Sequence, residues 1–184
     1  MKIIFTLFFF YFITSCTYAN VTYTAVKDQS NIGFTIEQFG LGLVTGKFHN
    51  YEIKFFQNEQ NKFNIIATIN VKSLKTGNKT RDRHLQKKEF FNTKKYESIT
   101  FKTTKDITFD SKIILGELTL KGVTSRVELP VTFNRILQDN EDIIQAYSHG
   151  FEVLRSQYNM TSYKRLINNS VITKINVTFE KDDT

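Results

Sequence analysis

A chain with one cysteine cannot form a disulfide within itself. Here the single cysteine, Cys16, sits near the start, so neither a disulfide staple nor a CxxC metal site is available. Proline occurs once, at Pro130, which excludes a proline-rich linker. Tryptophan is absent. The three histidines, His49, His84 and His149, are far apart, without the H-E-x-x-H spacing of a zinc hydrolase. There is no G-x-S-x-G elbow and no glycine-rich phosphate loop. Thiol catalysis, the common hydrolase signatures and nucleotide-phosphate binding therefore lack their residues. No cofactor and no metal is expected.

Long apolar runs are also scarce. The exception follows Lys2, where Ile3 to Ile13 is apolar except for Thr6. A permanent membrane helix needs about 20 residues, so this run is too short. One positive residue, an apolar run and then small residues is the layout of a secretory signal peptide. Thr17-Tyr18-Ala19 supplies the favoured cleavage site, giving a leader over 1–19 and one domain over 20–184, exported to the periplasm. Ile13-Thr14-Ser15-Cys16 resembles a lipobox, with lipidation of Cys16 as the second branch. The 165 residues after the leader (184 minus 19) make one ordinary domain. It must be stabilised by its core, and 13 of the chain's 18 phenylalanines lie after the leader to supply one.

The formal net charge is +7. From Lys72 to Lys95 nine Lys or Arg face two acids, Asp82 and Glu89. Such a patch suits a phosphate-bearing ligand or an anionic membrane surface, or is a solvated face. Export argues against nucleic acid.

Period-two alternation dominates the rest. Phe63, Ile65, Ala67, Ile69 and Val71 alternate with mostly polar neighbours. So do Val127, Leu129, Val131 and Phe133, and later Val171, Ile175, Val177 and Phe179. Ile32, Phe34 and Ile36 begin the same pattern, and weaker runs cover 43–56, 99–109, 112–121 and 143–155. Each sheet then has one dry and one wet face. The prediction is an all-β fold: an eight-stranded antiparallel barrel, closed because open edges invite aggregation. Lys, Asn, Thr and Glu on the outward positions argue against an outer-membrane barrel.

One segment breaks the alternation. Gly77-Asn78 punctuates the chain, Asn78 is a fitting N-cap, and no Gly or Pro follows before Lys88. The spacing predicts one main helix over about 78–88, with Arg81, His84, Leu85 and Lys88 on one side. That face suits a lid offering polar groups to a ligand head, or a solvated crossover anchored by Leu85.

The motifs carry a family resemblance. Ser73-Leu74-Lys75-Thr76-Gly77-Asn78, with Arg81-Asp82, His84-Leu85, Phe90-Phe91, Tyr96 and Ile99-Thr100-Phe101, resembles the S-x-x-T-G-N…R-D-x-H-L…F-F…Y-P-x-I-x-F run of YceI-family proteins. Gly116 to Thr124 is similar to the family's G-x-L-T-x-x-G-V-T run, and Ser30, Phe34, Gly40, Gly46 and Phe48 to its first hairpin. The chain departs from the family at Gln29 and Gln38, where His is usual, at Glu97 for Pro, and at Gln157 within Arg155-Ser156-Gln157-Tyr158-Asn159. The resemblance implies a lipocalin-like exported barrel that holds a polyisoprenoid or similar long-chain lipid. The departures thin the polar set at the cavity mouth and leave room for a quinone-like or fatty-acid head.

On that footing the expected tail-lining residues are Phe34, Phe48, Phe63, Ile65, Ile69, Phe101, Leu118, Phe133 and Phe151. Arg81, Asp82 and His84 are expected at the mouth, joined by Arg155 and Tyr163. Arg81–Asp82 as a structural brace is the competing reading. The expected partners are the lipid itself, a membrane surface and a second copy of the chain. Catalysis is not expected: Asp82 and His84, two apart on a helix, do not face each other. An isomerase or hydrolase acting on the same lipid is the alternative, and it would need a wet polar constellation inside the barrel.

Overall fold

The computed structural model describes residues 21–138 and 141–182. The leader, both of its processing branches and Cys16 lie outside the described residues. Among the described residues there are twelve strands and one α-helix. In order they are β1 (Val21–Ala25), β2 (Asn31–Gln38), β3 (Gly42–Phe48), β4 (Tyr51–Gln57), β5 (Phe63–Asn70), β6 (Leu74–Lys75), α1 (Lys79–Leu85), β7 (Ser98–Thr103), β8 (Ile113–Leu120), β9 (Val123–Pro130), β10 (Thr132–Gln138), β11 (Glu141–Leu154) and β12 (Ile167–Lys181).

The expected count of eight is corrected to twelve, and the difference has a physical origin. The described residues make eight passes, four of which are broken. A 3-10 turn at Lys27–Gln29 separates β1 from β2, yet both pair with β12. Residues 49–50 separate β3, on β2, from β4, on β1. A second 3-10 turn, Val71–Ser73, separates β5 from β6, and Val131 separates β9 from β10. Long passes must bend to follow a small barrel, and the breaks fall at those bends. Sequential passes are spatial neighbours, all antiparallel, and the last, β12, returns to the first. This is an up-and-down barrel. The ladder is interrupted between β9 and the end of β11. Pro130 has no N–H to give, the β10–β11 pairing stops at Thr132 and Tyr147, and β11 bulges between His149 and Glu152.

Alternation sets which side chains turn inward. On β5, Phe63, Ile65 and Ala67 are buried, while Ile66 and Thr68 are exposed. One end of the barrel is filled by rings. Phe55 lies 4.5 Å from Phe63, and Phe109 is 4.5 Å from Phe63 and 6.2 Å from Phe133. Tyr23 closes the same end. Its hydroxyl donates to Asp142 at 2.7 Å, and Arg135 grips that carboxylate through Nε at 2.7 Å and Nη2 at 2.6 Å. Burial, then Asp142, pushes the Tyr23 hydroxyl up to about 12. Arg135 holds Asp142 below the usual carboxylate range.

Candidate functional site

The other end is hollow. A cavity of about 440 Å³ runs up the barrel axis, in the size range of small-molecule sites. Its wall is aliphatic and aromatic, with Ile53, Ile65, Ala67, Ile114, Leu129 and Val177 among its residues, and among the described residues no carboxylate lines it. Two hydroxyls interrupt the apolar wall, Ser148 on β11 and Thr173 on β12. Ser148 is 3% exposed, and neither hydroxyl has a hydrogen-bond partner among the described residues.

Glycines make room for the large rings in the wall. Phe34 pairs across the ladder with Gly46, where a Cβ would come within 2.6 Å of the ring. Phe101 lies over Gly116, where a Cβ would collide with the ring. Both aromatics therefore lie along the wall because the neighbouring strand carries no side chain at that point.

The mouth is built by α1, the segment after it and the loop before β12. Asn78 caps the helix, its side chain accepting from the N–H groups of Thr80 and Arg81. The helix ends at Leu85, not at about Lys88 as expected. Beyond it the chain turns tightly, Phe91 N–H donating to the Leu85 carbonyl, so that Phe90 and Phe91 reach the barrel. Arg81, His84 and Leu85 line the cavity. Lys88, expected on the same face, is exposed. His84 meets Phe90 and Tyr163 edge-on at 5.2 and 5.7 Å, and Phe90 stacks with Tyr163 at 5.6 Å. The three rings form a gate.

Arg155 stands beneath that gate. It is 4% exposed and lines the cavity. Its guanidinium donates to the carbonyls of Ser162, Ile167 and Asn168, and among the described residues no carboxylate pairs with it. Burial lowers its pKa from the ordinary guanidinium range. A buried cation without a counter-charge, beside an apolar cavity, favours a ligand bearing a negative or strongly dipolar group.

Of the expected tail-lining residues, Phe34, Phe48, Ile65, Ile69, Phe101, Leu118 and Phe151 line the cavity. Phe63 and Phe133 do not. They turn inward as alternation requires, but at the depth of the aromatic plug. At the mouth, Arg81, His84, Arg155 and Tyr163 come together, and Asp82 does not join them. It is buried and accepts from the backbone N–H and the hydroxyl of Thr76 at 2.9 and 2.6 Å. Arg81 also holds Thr76, through Nε to the hydroxyl and Nη2 to the carbonyl, both at 2.8 Å. Asp82 is thus a brace for the Thr76–Asn78 turn, and Arg81 combines bracing with a place on the cavity wall. Sequence reasoning did not assign Met160, Leu166, Ser148 or Thr173 to the site. The last two were readable as inward positions of alternating strands. Met160 and Leu166 lie in a loop without periodicity. Among the described residues no group of three or more His, Cys, Asp or Glu gathers as a metal site.

A model of the YceI-like domain matches residues 23–181. The chain is 34% identical over 143 residues to UPF0312 protein plu2095 of Photorhabdus laumondii, covering 76% of this chain and 72% of that protein. It is 34% identical over 117 residues to UPF0312 protein SAR2769 of Staphylococcus aureus, covering 62% of this chain and 66% of the relative. Among solved structures, Burkholderia cenocepacia BcnA superposes with a TM-score of 0.72 at 19% identity, over 84% of this chain and 98% of that one. A polyisoprenoid binding domain from Saccharophagus degradans gives 0.69 at 14% identity, over 87% and 98%. The Campylobacter jejuni YCEI protein gives 0.70 at 24%, over 80% and 90%. These likenesses show the fold.

Proposed function

The chain belongs to the YceI-like domain family, and on that premise we propose that it is a non-catalytic binding protein for a long-chain amphipathic lipid. The tail enters the barrel and the head stays at the mouth. The observation that carries this reading is the cavity: about 440 Å³, apolar along its wall, with its cationic side chains, Arg81 and Arg155, gathered at the mouth. Moving hydrocarbon from water into such a wall gains about 25 cal/mol per Å², so the tail supplies most of the affinity. Arg81, His84, Arg155 and Tyr163 are the groups we assign to the head. A polyisoprenoid is one candidate tail, since a structural neighbour is a polyisoprenoid binding domain; quinone-like and fatty-acid lipids fit the same chemistry. The absence of a lining carboxylate among the described residues speaks for holding the lipid rather than converting it. The layout of residues 1–19 supports export to the periplasm, with 20–184 as the binding domain.

Mass spectrometry of organic extracts from the protein purified from its own cells tests this. One lipid class at near-stoichiometric yield, released unaltered, is the expected result. Protein that carries no lipid and takes up no fluorescent prenyl or acyl probe would sink the proposal.

A further inference from the structure

Tail binding makes no use of the outside of the cavity rim. The tip of the β2–β3 hairpin presents Phe39, Leu41 and Leu43 at 45%, 76% and 73% exposure, and the loop before β12 presents Leu166 at 54%. The two segments are tied together. The Phe39 N–H donates to the Leu166 carbonyl at 2.9 Å, and Gln38 pairs with Ile167. Leu166 also lines the cavity, so this apolar ridge is the lip of the opening.

Cations surround the ridge. Lys164 and Arg165 are exposed in the same loop. Across the mouth, Lys79, Arg83, Lys87 and Lys88 are exposed on α1 and the turn after it. The acid within that stretch, Asp82, is buried on Thr76. Within the hairpin tip, the loop before β12 and residues 79–89, the other acids are Glu37 and Glu89, and Glu37 accepts from the Asn168 side chain. The plugged end also exposes Ile113, Ile136 and Leu137, but with acids against the most exposed of them. Its exposed Leu137 pairs in register with Asp142 and lies beside exposed Glu141.

A concentrated exposed apolar patch marks a binding surface. Apolar tips within a field of Lys and Arg match one partner chemistry closely, a bilayer with anionic headgroups: the tips immerse while the cations meet phosphate. We propose that this rim docks on an anionic membrane surface, mouth down, so that a lipid passes between bilayer and barrel without crossing water. Docking of the rim does not depend on what the cavity holds.

Vesicle flotation tests it, using phosphatidylcholine vesicles with and without phosphatidylglycerol. The parent protein should float with the anionic vesicles and largely stay behind with the neutral ones. Leu41→Ser with Leu43→Ser should lower partitioning by about tenfold or more. Lys164→Glu with Arg165→Glu should lower binding to anionic vesicles by at least about tenfold and leave the neutral ones unchanged. Circular dichroism and Tm confirm folding, and mass spectrometry of extracts shows whether each variant keeps its lipid. Loss of flotation with lipid retained supports docking as a separate function. Flotation by protein that carries no lipid and takes up no fluorescent prenyl or acyl probe would overturn the cavity reading and leave docking standing. Docking itself is overturned if the parent ignores anionic vesicles, or if the variants float as well as the parent. It is also overturned if light scattering shows a parent dimer that the leucine variant breaks while flotation persists, since the ridge then serves a second copy of the chain.

Discussion

Replacing the two wall hydroxyls, by Thr173→Val and Ser148→Ala, should make the lipid-free protein more stable. Neither hydroxyl has a hydrogen-bond partner among the described residues, although both are shielded from bulk solvent. A buried, unpaired hydroxyl costs about 1–3 kcal/mol relative to one left in water. Val has the shape of Thr, so Thr173→Val removes that cost with little change in packing and should gain about 1 kcal/mol. Ser148→Ala also removes an atom facing the cavity, and should gain less. The two residues are diagonal on the inner face: Ser148 pairs with Ile175, two places from Thr173. Since neither serves the other, the gains should be close to additive. For a domain of this size about 1 kcal/mol is about 2–4 °C in Tm. Urea unfolding of delipidated protein, with an unchanged slope, is the assay. A loss of about 1 kcal/mol on Thr173→Val would refute the reasoning, because it would mean the hydroxyl is bonded in the folded protein. A tenfold loss of affinity for a lipid with an unsubstituted tail would also refute it, since the wall is then more apolar than before.

Phe101→Asp should abolish uptake of a fluorescent acyl probe and cost several kcal/mol shared between folding and binding, because the carboxylate would enter an apolar wall. Lys102→Asp, on the exposed face of the same strand, should leave uptake intact. Arg81→Ala should lower stability by about 1–3 kcal/mol through the two lost bonds to Thr76, and a Thr76→Val cycle should show the coupling. A normal Tm with selective loss of an anionic lipid would instead make Arg81 purely a head-group residue. Tyr23 predicts an alkaline limit. Its hydroxyl is raised to about 12 from 10.0, so its share of stability is complete below pH 10 and is lost as pH rises from 10 towards 12. That share is at most about 2–3 kcal/mol. Tyr23→Phe should flatten the alkaline arm of a stability–pH curve, and an unchanged arm would assign the limit elsewhere.

What the sequence determined by itself is the inward and outward set. Alternation has a period of two, the pleat has the same period, and each pass buries one face. That is why Phe34, Ile65, Phe101 and Leu118 could be named as inward residues, and why Asn78 could be named as the start of the helix. Depth along the axis was not legible. Phe63 and Ile65 are two apart on one strand with the same orientation, yet one belongs to the aromatic plug and the other to the cavity wall. Periodicity carries no information about which level of a barrel is filled. The number of strands was hidden for a similar reason: a bend interrupts the hydrogen-bond ladder without interrupting the pass. Only the tertiary structure decided the mouth. Spacing put Arg81, Asp82 and His84 in one segment, but the helical turn sends Asp82 back to Thr76 and the other two into the opening. Arg155 and Tyr163 could be named for the mouth only on the family resemblance; they reach it from a distant segment that no local period marks. Contacts of that kind are fixed by closure of the barrel, which brings the last pass beside the first.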